Sequence, residues 1–221
     1  MTPGYVFLAG ASRGVGREIA NRLVPQTKVK ALLRSTDSQP ALETMGIAVA
    51  LGDALNPAQV EAAMLAEPIS AVISTIGGLP KDGQRADFLG NKHLIDAAVK
   101  ANVQKFILVS SIGSGNSAVA LPPQALETLG AVLAEKEQAE QYLIASGLTY
   151  TIVRPGGLKS EPATGNAVLT PDPTIAGSIH RADVADLVCQ CLQSDKANNQ
   201  VLSAVDRQMT YGQQDFEILV L

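Results

Sequence analysis

Along the chain, short stretches that are apolar on consecutive positions alternate with stretches in which apolar residues recur every three or four positions. The first kind covers Tyr5–Ala9, Val29–Leu33, Ile47–Leu51, Ala71–Ser74, Phe106–Val109 and Tyr150–Val153. Such short unbroken runs predict strands covered on both faces, as in a parallel sheet. Of the second kind, Val15, Ile19 and Leu23 stand four apart, with Arg17, Glu18 and Arg22 on the opposite face, which predicts an amphipathic helix. Asn56 followed by Pro57 predicts another helix start, a good cap followed by proline at the first helical position. Residues 86–101 and 126–146 carry the next two helices, and Gly147 is placed to end the second.

Strand, helix, strand repeated in this way predicts right-handed crossovers and an α/β fold built on a single doubly wound parallel sheet, with a small C-terminal lobe beside it. No Gly/Ser/Pro linker or internal repeat divides the chain, so residues 1–221 are read as one domain. The irregular stretches 77–85, 110–124 and 155–181 follow the fourth, fifth and sixth strands. They therefore fall at the carboxyl edge of the sheet, where ligands bind in open parallel sheets.

Composition narrows the function. Of 221 residues, 46% are apolar and 17% charged, with a net charge of −4, so a globular protein without a basic face is expected and nucleic-acid binding is not. No stretch approaches the roughly 20 apolar residues of a membrane span, and Met1–Gly4 is too short for a signal peptide. A cytoplasmic protein, a monomer or weak homo-oligomer, is expected. Cys189 and Cys191 lie two apart on a helical stretch, where they point in different directions and predict neither a disulfide nor a shared metal. His93 and His180 stand alone in the sequence, so no metal site is expected.

The stretch "GASRGVGRE" at 10–18 carries the first chemistry. A strand leading through G-x-x-x-G-x-G into a helix lets the backbone turn at Gly10, approach a pyrophosphate at Gly14 and pack closely at Gly16. The helix N-terminus supplies free N–H groups and partial positive charge to the phosphates. This is the dinucleotide-binding (Rossmann) arrangement, with Gly10, Ser12, Arg13, Gly14, Val15 and Gly16 as candidate contacts. NAD-binding versions end the second strand with an acidic residue that holds the ribose 2′-hydroxyl. Here the second strand ends "ALLRS", and Arg34 stands in that place. With Ser12 and Arg13 nearby, it offers a donor fork to a 2′-phosphate, so NADP(H) is the expected cofactor. A solvated strand-end charge is the alternative for Arg34. Asp53 and Ala54 follow the third strand at the adenine position, with helix capping the alternative for Asp53. "VISTIGG" brings the Ser74–Gly78 backbone, with Ser74, Thr75, Ile76 and Gly77 as candidates, close to the ribose.

Together with "GNKHLIDAAVKANVQKFILVSSIG", "AEKEQAEQYLIASGLTYTIVRPGGLKSEPATGN" and "GSIHRADVADLV", these residues resemble the atypical short-chain dehydrogenase/reductase family, and within it small NmrA-like and flavin or biliverdin reductase-like members. The resemblance covers almost the whole chain. It implies a serine after strand five, matched by Ser110 and Ser111, and a Tyr-x-x-x-Lys pair on the following helix. Lys136 matches the lysine, and Val132 stands where the tyrosine would be. Ser110, Ser111 and Lys136 are thus the catalytic candidates, Ser110 and Lys136 also touching cofactor. Lys136 falls within the stripe Leu129, Val132, Leu133, Leu143 and Ile144, where an ammonium needs a partner. A nicotinamide ribose is one such partner, and snorkelling to the surface is the alternative. Pro155, Gly156, Gly157 and Leu158 match the segment that closes over the nicotinamide in the family, and Arg154 is read as a structural ion pair.

Without the tyrosine, phenol-assisted reduction of an unactivated ketone is disfavoured. Hydride transfer to an electron-poor planar acceptor needs mainly positioning. The sequence therefore predicts an NADPH-dependent reductase of a flavin such as FMN or riboflavin, of a biliverdin-like tetrapyrrole, or of a quinone, with flavin as substrate rather than prosthetic group. With no Trp, four Phe and four Tyr, that acceptor is expected to lie against aliphatic groups. A non-catalytic NADP(H)-binding redox sensor or assembly factor is the alternative.

Overall fold

The computed structural model describes residues 4–77, 84–212 and 215–221. The strands expected from the sequence are present with small changes at their ends: β1 (Tyr5–Ala9), β2 (Val29–Leu33), β3 (Ala48–Leu51), β4 (Ile69–Ser74), β5 (Lys105–Val109) and β6 (Tyr150–Pro155). They lie parallel in the order β3-β2-β1-β4-β5-β6. The direction of growth reverses between β1 and β4, which opens a crevice at their carboxyl ends. Helices α1 (Gly14–Leu23), α2 (Gln39–Thr44), α3 (Pro57–Leu65), α4 (Leu89–Lys100), α5 (Pro123–Ala145) and α6 (Arg181–Gln193) cover the sheet.

The unbroken apolar runs have a direct cause. Along β1, Val6 and Leu8 join the core beneath α1 and α6, and the alternate residues Phe7 and Ala9 join the core beneath α3, α4 and α5. A strand buried on both sides has no polar phase. Ile19, Leu23, Val184 and Val188 fill the first core, and Val60, Met64, Leu94 and Leu143 the second. Each side chain of this size contributes roughly 1.5–3 kcal/mol when fully buried.

Helix ends follow the expected chemistry. Asn56 Oδ1 accepts from the N–H groups of Ala58 (3.1 Å) and Gln59 (3.2 Å) at the start of α3. Past α5, Gly147 adopts φ +81°, a conformation that ends helices at little cost only for glycine. Arg22 joins α1 to α6 through Asp186, with a second bond to Glu18 at 2.8 Å. Lys105 Nζ caps the end of α6 at the Ser194 carbonyl (2.9 Å), and burial holds this ammonium below its ordinary pKa. Both cysteines are free and buried in α6, and burial pushes Cys189 up to about 11 and Cys191 up to about 12. They are packing residues.

The stretch 155–181 departs from expectation. It contains β7 (Gly157–Lys159), β8 (Ala167–Thr170) and β9 (Ala176–His180), and β10 (Gln200–Asp206) and β11 (Thr210–Tyr211) follow later. β10 extends the main sheet parallel to β6, and β8 closes the edge antiparallel to β10. β7, β9 and β11 form a separate small sheet. β7, β8 and β11 are two to four residues long and pair with distant residues, so a local hydrophobic pattern does not mark them. α5 also starts earlier than expected, and Leu129 and Ile144, read as inward, are 41% and 38% exposed. Its inner face is Leu133, Ala139, Glu140 and Leu143.

Candidate functional site

The carboxyl ends of β1, β2, β4, β5 and β6 open into one cleft of about 1160 Å³. Its first wall is the glycine loop. Gly10 has φ +97°, and a Cβ on Gly16 would lie 2.1 Å from the Gly10 carbonyl oxygen. Only glycine lets α1 start so close to the end of β1. Thr75 pins the turn by donating to the Ala9 carbonyl at 3.1 Å. At the start of α1 the first turn carries no acidic residue, and Arg13 makes no side-chain capping bond.

Most of the residues singled out in the sequence meet here. Gly10, Ser12, Arg13, Gly14, Val15, Gly16, Arg34, Asp53, Ala54, Thr75, Ile76, Gly77, Ser110, Ser111, Lys136, Pro155, Gly156, Gly157 and Leu158 all line the cleft. Ser74 does not. It is fully buried, its hydroxyl donating to Asn91 Oδ1 at 2.5 Å, because at the end of β4 its side chain turns to the α4 side. Gly78, with the rest of 78–83 from the stretch 77–85, lies outside the described residues. Arg34 is exposed at the end of β2, on the rim. Asp53 Oδ1 accepts from the Leu55 N–H at 2.9 Å, which shapes the turn before α3. His93 supports the same turn from α4 through the Ala54 carbonyl, 2.9 Å away.

At the other end of the cleft the polar residues have specific partners. Lys136 Nζ lies 3.0 Å from Oδ1 of the fully buried Asp87. The expected need of this ammonium for a partner is thus met within the protein, by a residue the sequence reading passed over. Asp87 is the second residue of the range read as helix 86–101, whereas α4 begins only at Leu89. Ser110 is buried and donates to Glu140, whose carboxylate also accepts from Arg154 Nε (3.1 Å) and Nη2 (2.5 Å). The expected structural ion pair of Arg154 is therefore present. Ser111 donates to the Ile112 carbonyl at 2.9 Å.

Apart from Leu129, read as part of the helical stripe around Lys136, several wall residues carried no sequence signal. Ile112, Leu121 and Leu129 form an apolar side, and Tyr211, 65% exposed, stands at the rim with its hydroxyl 2.6 Å from Ser178 Oγ. An aromatic face is thus available in addition to the aliphatic groups expected. Arg181 also lines the cleft, its side chain packed against Gly14 of the glycine loop. Its neighbour His180 does not stand alone: its ring, Asp183 and Asp206 bring possible ligand atoms within 4.8 Å of one another. Asp183 already accepts from the N–H groups of Thr164 (2.9 Å) and Gly165 (3.0 Å), and Asp206 from Thr164 Oγ1 and the Gln208 N–H. These bonds clasp the loop before β8 onto α6.

At about 1160 Å³, the cleft lies above the roughly 300–1,000 Å³ of a site for one drug-sized ligand, in line with a ligand as long as a dinucleotide. The cradle at Gly10, Gly14 and Gly16 fits the phosphates of such a cofactor. Among the described residues no helix is long and apolar enough to cross a membrane.

Residues 10–195 match a family model described as NAD(P)H-binding. The chain is 35% identical to ChuY, an anaerobilin reductase from Escherichia coli O157:H7, with a TM-score of 0.83 over 90% of this chain and 96% of that one. A Bacillus subtilis relative, named as the uncharacterized sugar epimerase YhfK, is 31% identical over 91% of this chain and 94% of its own length. Sanguinarine reductase of Eschscholzia californica is 28% identical over 97% of this chain and 94% of its own. By the extent of these matches and the order of its sheet, the chain belongs to the NAD(P)H-binding family, in line with its resemblance to atypical short-chain dehydrogenases/reductases.

Proposed function

We propose that the protein is an NADPH-dependent reductase acting as one domain, which delivers hydride to a planar conjugated acceptor. The carrying observation is the continuity of one cleft. It runs from the arginine-bearing glycine loop, past Lys136, to an apolar wall of Ile112, Leu121 and Leu129 with Tyr211 at its rim. Flavin, linear tetrapyrrole and quinone all match that wall in chemistry, and the likeness to ChuY favours the tetrapyrrole.

Bound NADPH supplies the hydride. The chain's own part is to hold and orient. Arg34, Ser12 and Arg13 receive the adenosine end and its 2′-phosphate, and the N-terminus of α1 receives the pyrophosphate. Lys136, fixed by Asp87, directs its ammonium to the nicotinamide ribose. The Ser110 hydroxyl is held by Glu140, so Ser111 is the serine left to orient the acceptor or a water. Val132 offers no proton, and water supplies the one that completes reduction. Exclusion of bulk water by the apolar wall strengthens each polar contact inside.

Lys136→Gln keeps a hydrogen-bond donor for Asp87 and removes the charge. NADPH binding should weaken by about 10-fold, with an unchanged circular dichroism spectrum. Unchanged binding would make Lys136 a partner of Asp87 alone. Val132 also favours a second reading, an NADP(H)-binding protein without turnover that senses redox state or assists assembly. Consumption of NADPH in the presence of FMN, biliverdin or a quinone separates the two.

A further inference from the structure

We propose that Arg181 is a phosphate ligand of the cofactor, holding the pyrophosphate beside the glycine loop and tying it to the strand β7. The inference rests on the dinucleotide reading above. Arg181 is the first residue of α6, yet its side chain lies on the first turn of α1. A Cβ built on Gly14 would sit 3.7 Å from Arg181 Nε and 3.8 Å from its Cδ, in ordinary contact.

The electrostatics of this position are unfavourable for a cation alone. A helix N-terminus carries partial positive charge and favours anions. Arg181 stands at the N-termini of two helices at once, its own and α1. The first turn of α1 contains no acidic side chain, and Arg13 beside it is a further cation. Among the described residues, no carboxylate lies within ion-pair distance of Arg181, whereas Arg22 and Arg154 are both paired that way. Its bonds go to neutral oxygens, Ser160 Oγ at 2.7 Å and the Leu158 carbonyl at 3.4 Å, both from Nη1. The remaining guanidinium N–H groups are the match for a doubly charged pyrophosphate over the α1 terminus.

The same two bonds give the contact a consequence. Leu158 and Ser160 belong to the wall formed by β7 and the residue after it, next to the acceptor end of the cleft. A phosphate held by Arg181 therefore fixes β7, and cofactor binding orders the acceptor wall before the acceptor arrives.

The test uses the full chain with Arg181→Gln and Arg181→Lys, each checked for a native thermal melt, and NADPH and NADH as probes. Arg181→Gln should weaken both dinucleotides by the same factor, about 10–100-fold, as loss of a charged hydrogen-bond pair predicts. Arg181→Lys should fall between it and the unaltered protein. NADPH should slow trypsin cleavage after the exposed Lys159 in the unaltered chain and fail to do so in Arg181→Gln at saturating NADPH. Equal NADPH affinity in all three proteins would overturn the proposal. A loss confined to NADPH would overturn the pyrophosphate assignment and move Arg181 to the 2′-phosphate. An unaltered protein that binds NADPH without turnover would sink the reductase reading and leave Arg181 in place, whereas one that binds neither dinucleotide would remove both.

Discussion

Replacing Glu140 by alanine should destabilise the protein by about 3–5 kcal/mol, the cost of leaving one member of a buried ion pair without the other. Glu140 is fully buried and Arg154 is 5% exposed. The carboxylate takes two bonds from the guanidinium and one from Ser110, and the third arm of Arg154 reaches Asn116 Oδ1 at 2.6 Å. Alanine would strand a charge between α5 and β6, with a hydroxyl left loose beside the cleft. Folded proteins hold only about 5–15 kcal/mol in all, so the melting temperature should fall by roughly 6–20 °C. The double variant Glu140→Ala with Arg154→Met removes the stranded charge and should recover most of the loss. A Glu140→Ala melt within about 2 °C of the unaltered protein would contradict the pairing.

Arg34→Glu should lower NADPH affinity by about 100-fold or more while changing NADH affinity by no more than about 3-fold. The new carboxylate repels the 2′-phosphate and accepts from a 2′-hydroxyl, so the two dinucleotides respond in opposite senses. Isothermal titration with both cofactors measures this directly. Comparable losses for NADPH and NADH would mean that Arg34 does not meet the 2′-phosphate.

Much of the scaffold was legible because the two sheet faces are both covered. Unbroken runs such as Tyr5–Ala9 leave few alternatives to a buried strand, and Asn56–Pro57 and Gly147 mark helix ends by local backbone chemistry that operates wherever those residues occur. The C-terminal lobe was not legible for the opposite reason. β7, β8 and β11 are two to four residues long, and their partners lie far along the chain.

The site divides in the same way. The glycine loop is contiguous, so its spacing could be read, and Arg34 followed from its distance along the fold. Arg181 and Tyr211 reach the cleft from separate segments, Asp87 backs it through Lys136 from a third, and nothing near them in sequence announces a shared cavity. Ser74 erred in the other direction: it sits beside the loop by sequence, and one residue of strand alternation turns it into the core.

The reductase reading is tested most directly by following reduced-nicotinamide absorbance with purified protein, NADPH against NADH, across biliverdin, FMN and several quinones. Steady consumption of NADPH, faster than of NADH and dependent on one of these acceptors, is the predicted result. Tight NADPH binding with no consumption under any planar acceptor would contradict it.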